Sequence, residues 1–123
     1  MTAKERADFI NKFLKEHCFK LLDGKGLEYS QGTSDVNSNF KRVGSALGLD
    51  PLTVAYVYGA KHFDSITNYV KTRKITSDEP IEGRIADLIN YLLIFACLIE
   101  EDKCNKVPTP TDEQKIKDLY LRR

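Results

Sequence analysis

The sequence predicts an all-α fold: a bundle of four main helices followed by a short C-terminal helix. Three observations predict it. Apolar residues recur at helical spacing within each long segment. The segments are punctuated by helix caps and by Gly and Pro stops. No run of residues carries a strand pattern, and no internal repeat or low-complexity segment is present.

The first helix is predicted from about Ala3 to Leu22. Thr2 and Glu5 have capping-box spacing, Phe9, Ile10, Phe13, Leu14, Leu21 and Leu22 recur at helical intervals, and Gly24 is the expected stop. The glycine-rich stretch "DGKGLEYSQGTSD" (residues 23–35) reads as a loop holding Glu28 and Tyr29, which a plain linker does not need. A second helix is expected after Ser34 or Asp35, with Val36, Phe40, Val43 and Leu47 marking its buried face and Gly48 its end. Asp50 then caps a third helix with Pro51 at its first position. That helix carries Val54, Val57, Phe63, Ile66 and Val70 to about Thr72. Ser77 or Asp78 caps the fourth, Pro80 suits its first turn, and it runs to about Asp102. Residues 1–105 form the bundle domain. Residues 106–123 are a proline-containing linker and a C-terminal helix that packs on the core or on a second subunit.

The 123 residues make one domain, and 41% hydrophobic residues suffice for a core without disulfides. Nineteen basic and 18 acidic side chains give a net charge of +1, which argues against a general nucleic-acid binder. Cys18, Cys97 and Cys104 lack CxxC spacing and read as thiols of a reducing cytoplasm. The amphipathic N-terminus is unlike a signal peptide. The longest apolar run, Tyr91 to Ile99, falls short of the roughly 20 residues that span a bilayer, so no membrane association is expected.

The stretch "DEPIEGRIADLINYLLIFACLIEE", residues 78–101, carries the functional signal. On a helix of about 100° per residue, Ile81, Ile85, Leu88, Leu92, Phe95 and Ile99 form one stripe, taken as the core face. Glu79, Glu82, Gly83, Ala86, Asp87 and Asn90 gather opposite. Beyond Tyr91 the helix is apolar all round, as buried helices are. The acidic face therefore leads into buried territory and sits at the mouth of a cleft, where grouped carboxylates need a cation, a proton or hydrogen-bond donors. The helix dipole alone accounts for Asp78 and Glu79, and acceptably for Glu82, but poorly for Asp87 and Asn90.

"YGAKHFDSITNYVKTRK" (residues 58–74) supplies further groups. Lys61 and Asp64 share a helix face at three-residue spacing, as an ion pair or as a phosphate contact and a cation ligand. His62 beside Phe63 suits a boundary position. Two histidines without HxxxH spacing do not make a zinc site, and all-oxygen ligation suits Mg²⁺, with Mn²⁺ as substitute. Lys71, Arg73 and Lys74 complement the helix dipole or steer an anion. No phosphate-cradling Gly-rich motif and no Ser-His-Asp or Cys-His arrangement is readable.

"DEPIEGRIADLINY" resembles the signature of the nucleotide-modification-associated helical domain family of phages and bacteria, in which acidic residues precede Asp-Leu-x-Asn-Tyr. "KGLEYS" (Lys25 to Ser30) is similar to that family's Lys-x-x-Asp-Tyr-Gly loop, with Glu28 for Asp and Ser30 for Gly. "NSNF" is similar to its following Asn/Ser-Phe segment, and "KHFDSI" falls where the family has a Lys-led helix. The resemblance covers about residues 20–100. More distantly, the arrangement looks like the all-α nucleoside triphosphate pyrophosphohydrolases of the MazG kind, whose helix-borne carboxylates hold magnesium on a triphosphate. The Glu-Glu-x-x-Glu helix of those enzymes is missing here.

The resemblance implies a cytoplasmic, phage-type nucleotide-handling protein (in the host cytoplasm for a phage product). Glu82, Asp87 and Asn90 match the last-helix block, and Glu28 and Lys61 the loop and third-helix blocks. Two functions of different class follow. As a pyrophosphohydrolase, Glu82, Asp87 and Lys61 would be catalytic, with Mg²⁺ held among Glu79, Glu82, Asp87 and Asp64, or with Glu28 as a ligand. As a non-catalytic binder, the protein would sequester a nucleotide signal. In both, Glu28, Tyr29, Lys61, His62 and Asn90 would contact the nucleotide, and a homo-oligomer is expected, with Leu93, Ile94 and Leu98 available for its interface. A third function, docking of a partner chain on the polar helix face, needs no ligand.

Overall fold

The computed structural model describes residues 1–30, 34–75, 77–105 and Lys117. The fold is all-α, and no strand occurs among the described residues. The predicted linker and C-terminal helix, apart from Lys117, lie outside the described residues.

Helix α1 (Ala3–Phe13) opens on the expected capping box. The Glu5 amide donates to Thr2 Oγ1 and the Thr2 amide to Glu5 Oε2, both at 3.1 Å. The chain then passes without a break through a π-helical segment (Leu14–Phe19) into α2 (Lys20–Tyr29). The predicted stop at Gly24 is therefore corrected: residues 23–29 are helix, not loop. Gly24 keeps a negative φ, so it forms no left-handed cap. Beyond Gly24 the helix is tied to the rest of the fold by Lys25, which donates to Asp87, and by the Tyr29 carbonyl, which accepts from Arg42.

Helix α3 (Ser38–Leu47) starts later than Ser34 or Asp35 because those residues serve the connection instead. Asp35 Oδ1 accepts from the Asn37 amide at 3.0 Å. Asn37 Nδ2 donates to Glu101 Oε1 at 2.9 Å rather than capping its own helix. Lys41 bridges Asp35 and Glu101 at 2.6 and 3.0 Å, tying α3 to the far end of the last helix. The end of α3 is as predicted. Gly48 takes the left-handed conformation at φ 69°, and the Leu49 amide returns to the Gly44 carbonyl at 2.8 Å. Asp50 caps α4 (Pro51–Thr72) through the Leu52 amide, with Pro51 at its first position. Helix α5 (Ile81–Asn105) begins directly after Pro80.

Helices α4 and α5 form the central pair, with α3 against α4 and the π segment against α5. Phe40, Val54, Ala55 and Leu98 are the buried centre, and Val43, Leu52, Tyr58, Tyr91, Ile94 and Phe95 pack around it. Phe40, Tyr58 and Tyr91 meet pairwise at 6.2–6.4 Å between ring centres, two of the three pairs edge-on.

The face of α5 taken as core is corrected. Ile81, Ile85, Leu88, Phe95 and Ile99 are only half-buried, and Leu92 is 63% exposed. The buried residues are Ala86, Asp87, Asn90 and Leu98. The polar side of the helix thus turns inward. It does so because the groups that satisfy it stand there, and because small residues let the backbones close up: a Cβ on Gly59 of α4 would lie only 3.4 Å from Tyr91 Cβ. Val36 and Leu47, predicted on the buried face of the second helix, are exposed, as are Val57, Phe63 and Val70 of α4. Among the described residues, no helix is long and apolar enough to cross a membrane.

Candidate functional site

Three elements converge on Asp87. From α2, Lys25 Nζ donates to Asp87 Oδ1 at 3.0 Å. From α4, His62 Nδ1 stands 3.7 Å from Asp87 Oδ2, too far for a hydrogen bond. One turn on, Asn90 Nδ2 donates to the Cys18 carbonyl of the π segment at 2.9 Å. Asp87 and Asn90 are each only 6% exposed. A carboxylate this enclosed needs a partner, and Lys25 is that partner. Asn90 Oδ1 and His62 Nδ1 are buried with no hydrogen-bond partner among the described residues. Unpaired buried polar atoms of this kind are rare and costly.

These residues line a cavity of about 680 Å³, within the usual range for a small-molecule site. Its walls are mostly apolar: Leu21, Leu22, Phe40, Ile94 and Tyr91 contribute, and the His62 ring lies nearly parallel to Tyr91 at 5.3 Å and 25°. A second hollow adjoins it across Tyr29, His62, Arg84 and Tyr91, and there Arg42 and Lys61 add positive charge beside Glu28. Lys61 Nζ also lies 5.6 Å from the centre of the Tyr58 ring.

Burial lowers the pKa of His62 below its ordinary value; Asp87 partly offsets this, while Arg84 and Lys25 reinforce it. The neutral form of the imidazole is thereby favoured beside Asp87. Burial raises the Tyr91 hydroxyl and the Cys18 thiol, and the Asp87 charge adds to both shifts.

Of the residues singled out from sequence, Asp87, Asn90, His62, Tyr29 and Glu79 line the cavity, and Glu28, Tyr29, Lys61 and His62 line the adjoining hollow. Glu79 is engaged with Arg84 at 3.4 Å. Glu82 and Asp64 are exposed and line neither. No three His, Cys, Asp or Glu side chains converge as a metal site among the described residues. Asp87 Oδ1 is held by Lys25, and Glu82 and Asp64 lie exposed. Arg42 and Arg84 carry no motif, and Lys25 and Tyr91 stand in "KGLEYS" and "DEPIEGRIADLINY" with no site role assigned to them there. Lys25 stood in a stretch taken for loop, and a basic residue beside an acidic face has no spacing that distinguishes it.

The chain matches no family model, no curated protein and no solved structure.

Proposed function

We propose that the cavity binds a nucleotide, its base in the apolar chamber above Asp87 and its phosphates in the basic hollow of Arg42, Lys61 and Arg84, and that the protein sequesters the nucleotide without cleaving it. The observation that carries this is the pairing of two unlike compartments. An aromatic-walled chamber with acceptor atoms at its floor opens beside a patch of cations, the division of chemistry a nucleotide presents. The likeness of "DEPIEGRIADLINY" to a phage and bacterial nucleotide-modification helical family supports the same direction. Binding without cleavage is favoured because Glu82 and Asp64 stand apart from Asp87. Self-association belongs to the same proposal: α1 buries none of its residues, and Tyr56, Phe63 and Val70 lie exposed at seven-residue spacing on α4.

The test is thermal unfolding with a panel of ribo- and deoxyribonucleotides, each with and without Mg²⁺, followed by chromatography of the ligand released on heating. A ligand at about 100 times its Kd adds about 2.7 kcal/mol of stability, so binding is visible as a raised Tm. The expected result is a raised Tm and intact nucleotide. Release of pyrophosphate would replace sequestration by hydrolysis. No change in Tm with any nucleotide would overturn the proposal.

A further inference from the structure

We infer that the base held in the chamber is guanine, taken by its adjacent N1–H and N2–H₂ donors on the free oxygens of Asp87 and Asn90. The inference rests on the nucleotide reading above and names the ligand of that same site.

Both nearly buried polar side chains on the cavity floor leave an oxygen without a hydrogen-bond partner. Asn90 spends one of the two N–H donors of Nδ2 on the Cys18 carbonyl and leaves Oδ1 unpartnered. Asp87 commits Oδ1 to Lys25, and Oδ2 makes no hydrogen bond among the described residues. A ligand that satisfies these two oxygens must bring N–H groups. Guanine is the only common base with two adjacent N–H donors on its pairing edge. Adenine and cytosine pair one amine with a ring acceptor, and uracil and hypoxanthine carry one ring N–H between or beside acceptors. An acceptor set against Asp87 Oδ2 or Asn90 Oδ1 would leave two lone pairs facing each other in a site shielded from water. Guanine also carries a carbonyl on the same edge. Lys25 Nζ has three donors and spends one on Asp87, so it can serve that oxygen. The His62 ring stacks on Tyr91, and the aromatic, mostly apolar lining suits a planar purine rather than a flexible polyamine, the other donor-rich class of ligand.

The experiment is calorimetric titration of the full chain with GTP, ITP, XTP, ATP, CTP and UTP, which share one triphosphate and differ only at the base. GTP is expected to bind at least about 10-fold more tightly than ITP, which lacks only the N2 amine, and more tightly still than ATP. Asp87→Asn, which offers an amide donor where a carboxylate oxygen stood, is expected to weaken GTP by about 10-fold or more and to strengthen XTP, which carries a carbonyl in place of the amine. A reversed preference cannot arise from partial unfolding. Equal binding of all six nucleotides would overturn the assignment of guanine and leave the nucleotide-binding function standing. An absence of binding by all six would overturn both.

Discussion

Gly44 sits where α3 runs into the backbone that starts α4, and replacing it by alanine should destabilise the fold. A Cβ at this position would lie 2.5 Å from the Leu49 carbonyl oxygen, about half an ångström inside the 3.0 Å that real Cβ atoms keep. The obstacle is backbone, and it is pinned. The Leu49 amide is bonded to the Gly44 carbonyl at 2.8 Å, and Asp50 and Pro51 begin α4 immediately beyond. Overpacking of this kind costs about 1–3 kcal/mol. The helix preference of Ala over Gly returns up to about 1 kcal/mol. The net expectation is a loss of about 1–2 kcal/mol, or about 3–10 °C in Tm for a domain of this size. Gly24→Ala is the matched control. Gly24 is helical with negative φ and has nothing within 4 Å of a built Cβ, so the same substitution should add about 0.5–1 kcal/mol. Thermal and urea unfolding followed by circular dichroism read both. A Gly44→Ala protein as stable as the parent would refute the close approach of α3 to the Leu49 backbone.

Three further outcomes are expected. Leu98→Ala should cost about 2–5 kcal/mol and Leu92→Ala less than about 1, because Leu98 is 4% exposed and Leu92 63%; equal costs in urea unfolding would return the core face of α5 to the apolar stripe. His62 has its pKa lowered by burial, so the unfolded chain binds the extra proton first. Stability should therefore fall as pH drops through the unfolded value near 6.5 toward the lower folded one, and His62→Gln should flatten that part of the urea-midpoint profile. In the native protein an alkylating agent should modify Cys97 and Cys104 but spare Cys18, which is fully buried with its thiol pKa raised; labelling of Cys18 without unfolding, seen by peptide mass spectrometry, would contradict that placement.

Helix limits set by local chemistry were legible in the sequence. Thr2 with Glu5, Asp50 with Pro51, and Gly48 each act through neighbours within a few residues, so their types alone fix the turn. Asp87 and Asn90 were also legible as polar groups entering buried territory. What was not legible depends on partners far along the chain. Lys25 is 62 residues from Asp87, and the Cys18 carbonyl 72 from Asn90. Those two contacts turn the acidic side of α5 inward, against the apolar stripe that a wheel would bury. The Lys25 contact also lies just past Gly24, within the helix that continues through it. Glu82 marks the limit of the wheel: grouped with Asp87 on the polar side, it stands about 140° around the helix from it and more than a turn nearer the helix start, and it is exposed.

The π segment at Leu14–Phe19 also acts as an angular offset. A π turn holds one residue more than the α-helical ladder, so everything downstream is swung by about 100° relative to an uninterrupted rod. The lysine that reaches Asp87 lies downstream of it. A one-residue deletion between Leu14 and Phe19 would restore ordinary α winding at little local cost. The lost residue and the lost offset cancel, so that ammonium group would still face its carboxylate; recasting the segment as α-helix with no deletion would instead carry it about 100° around the helix, a change on a distant stretch felt at the cavity floor.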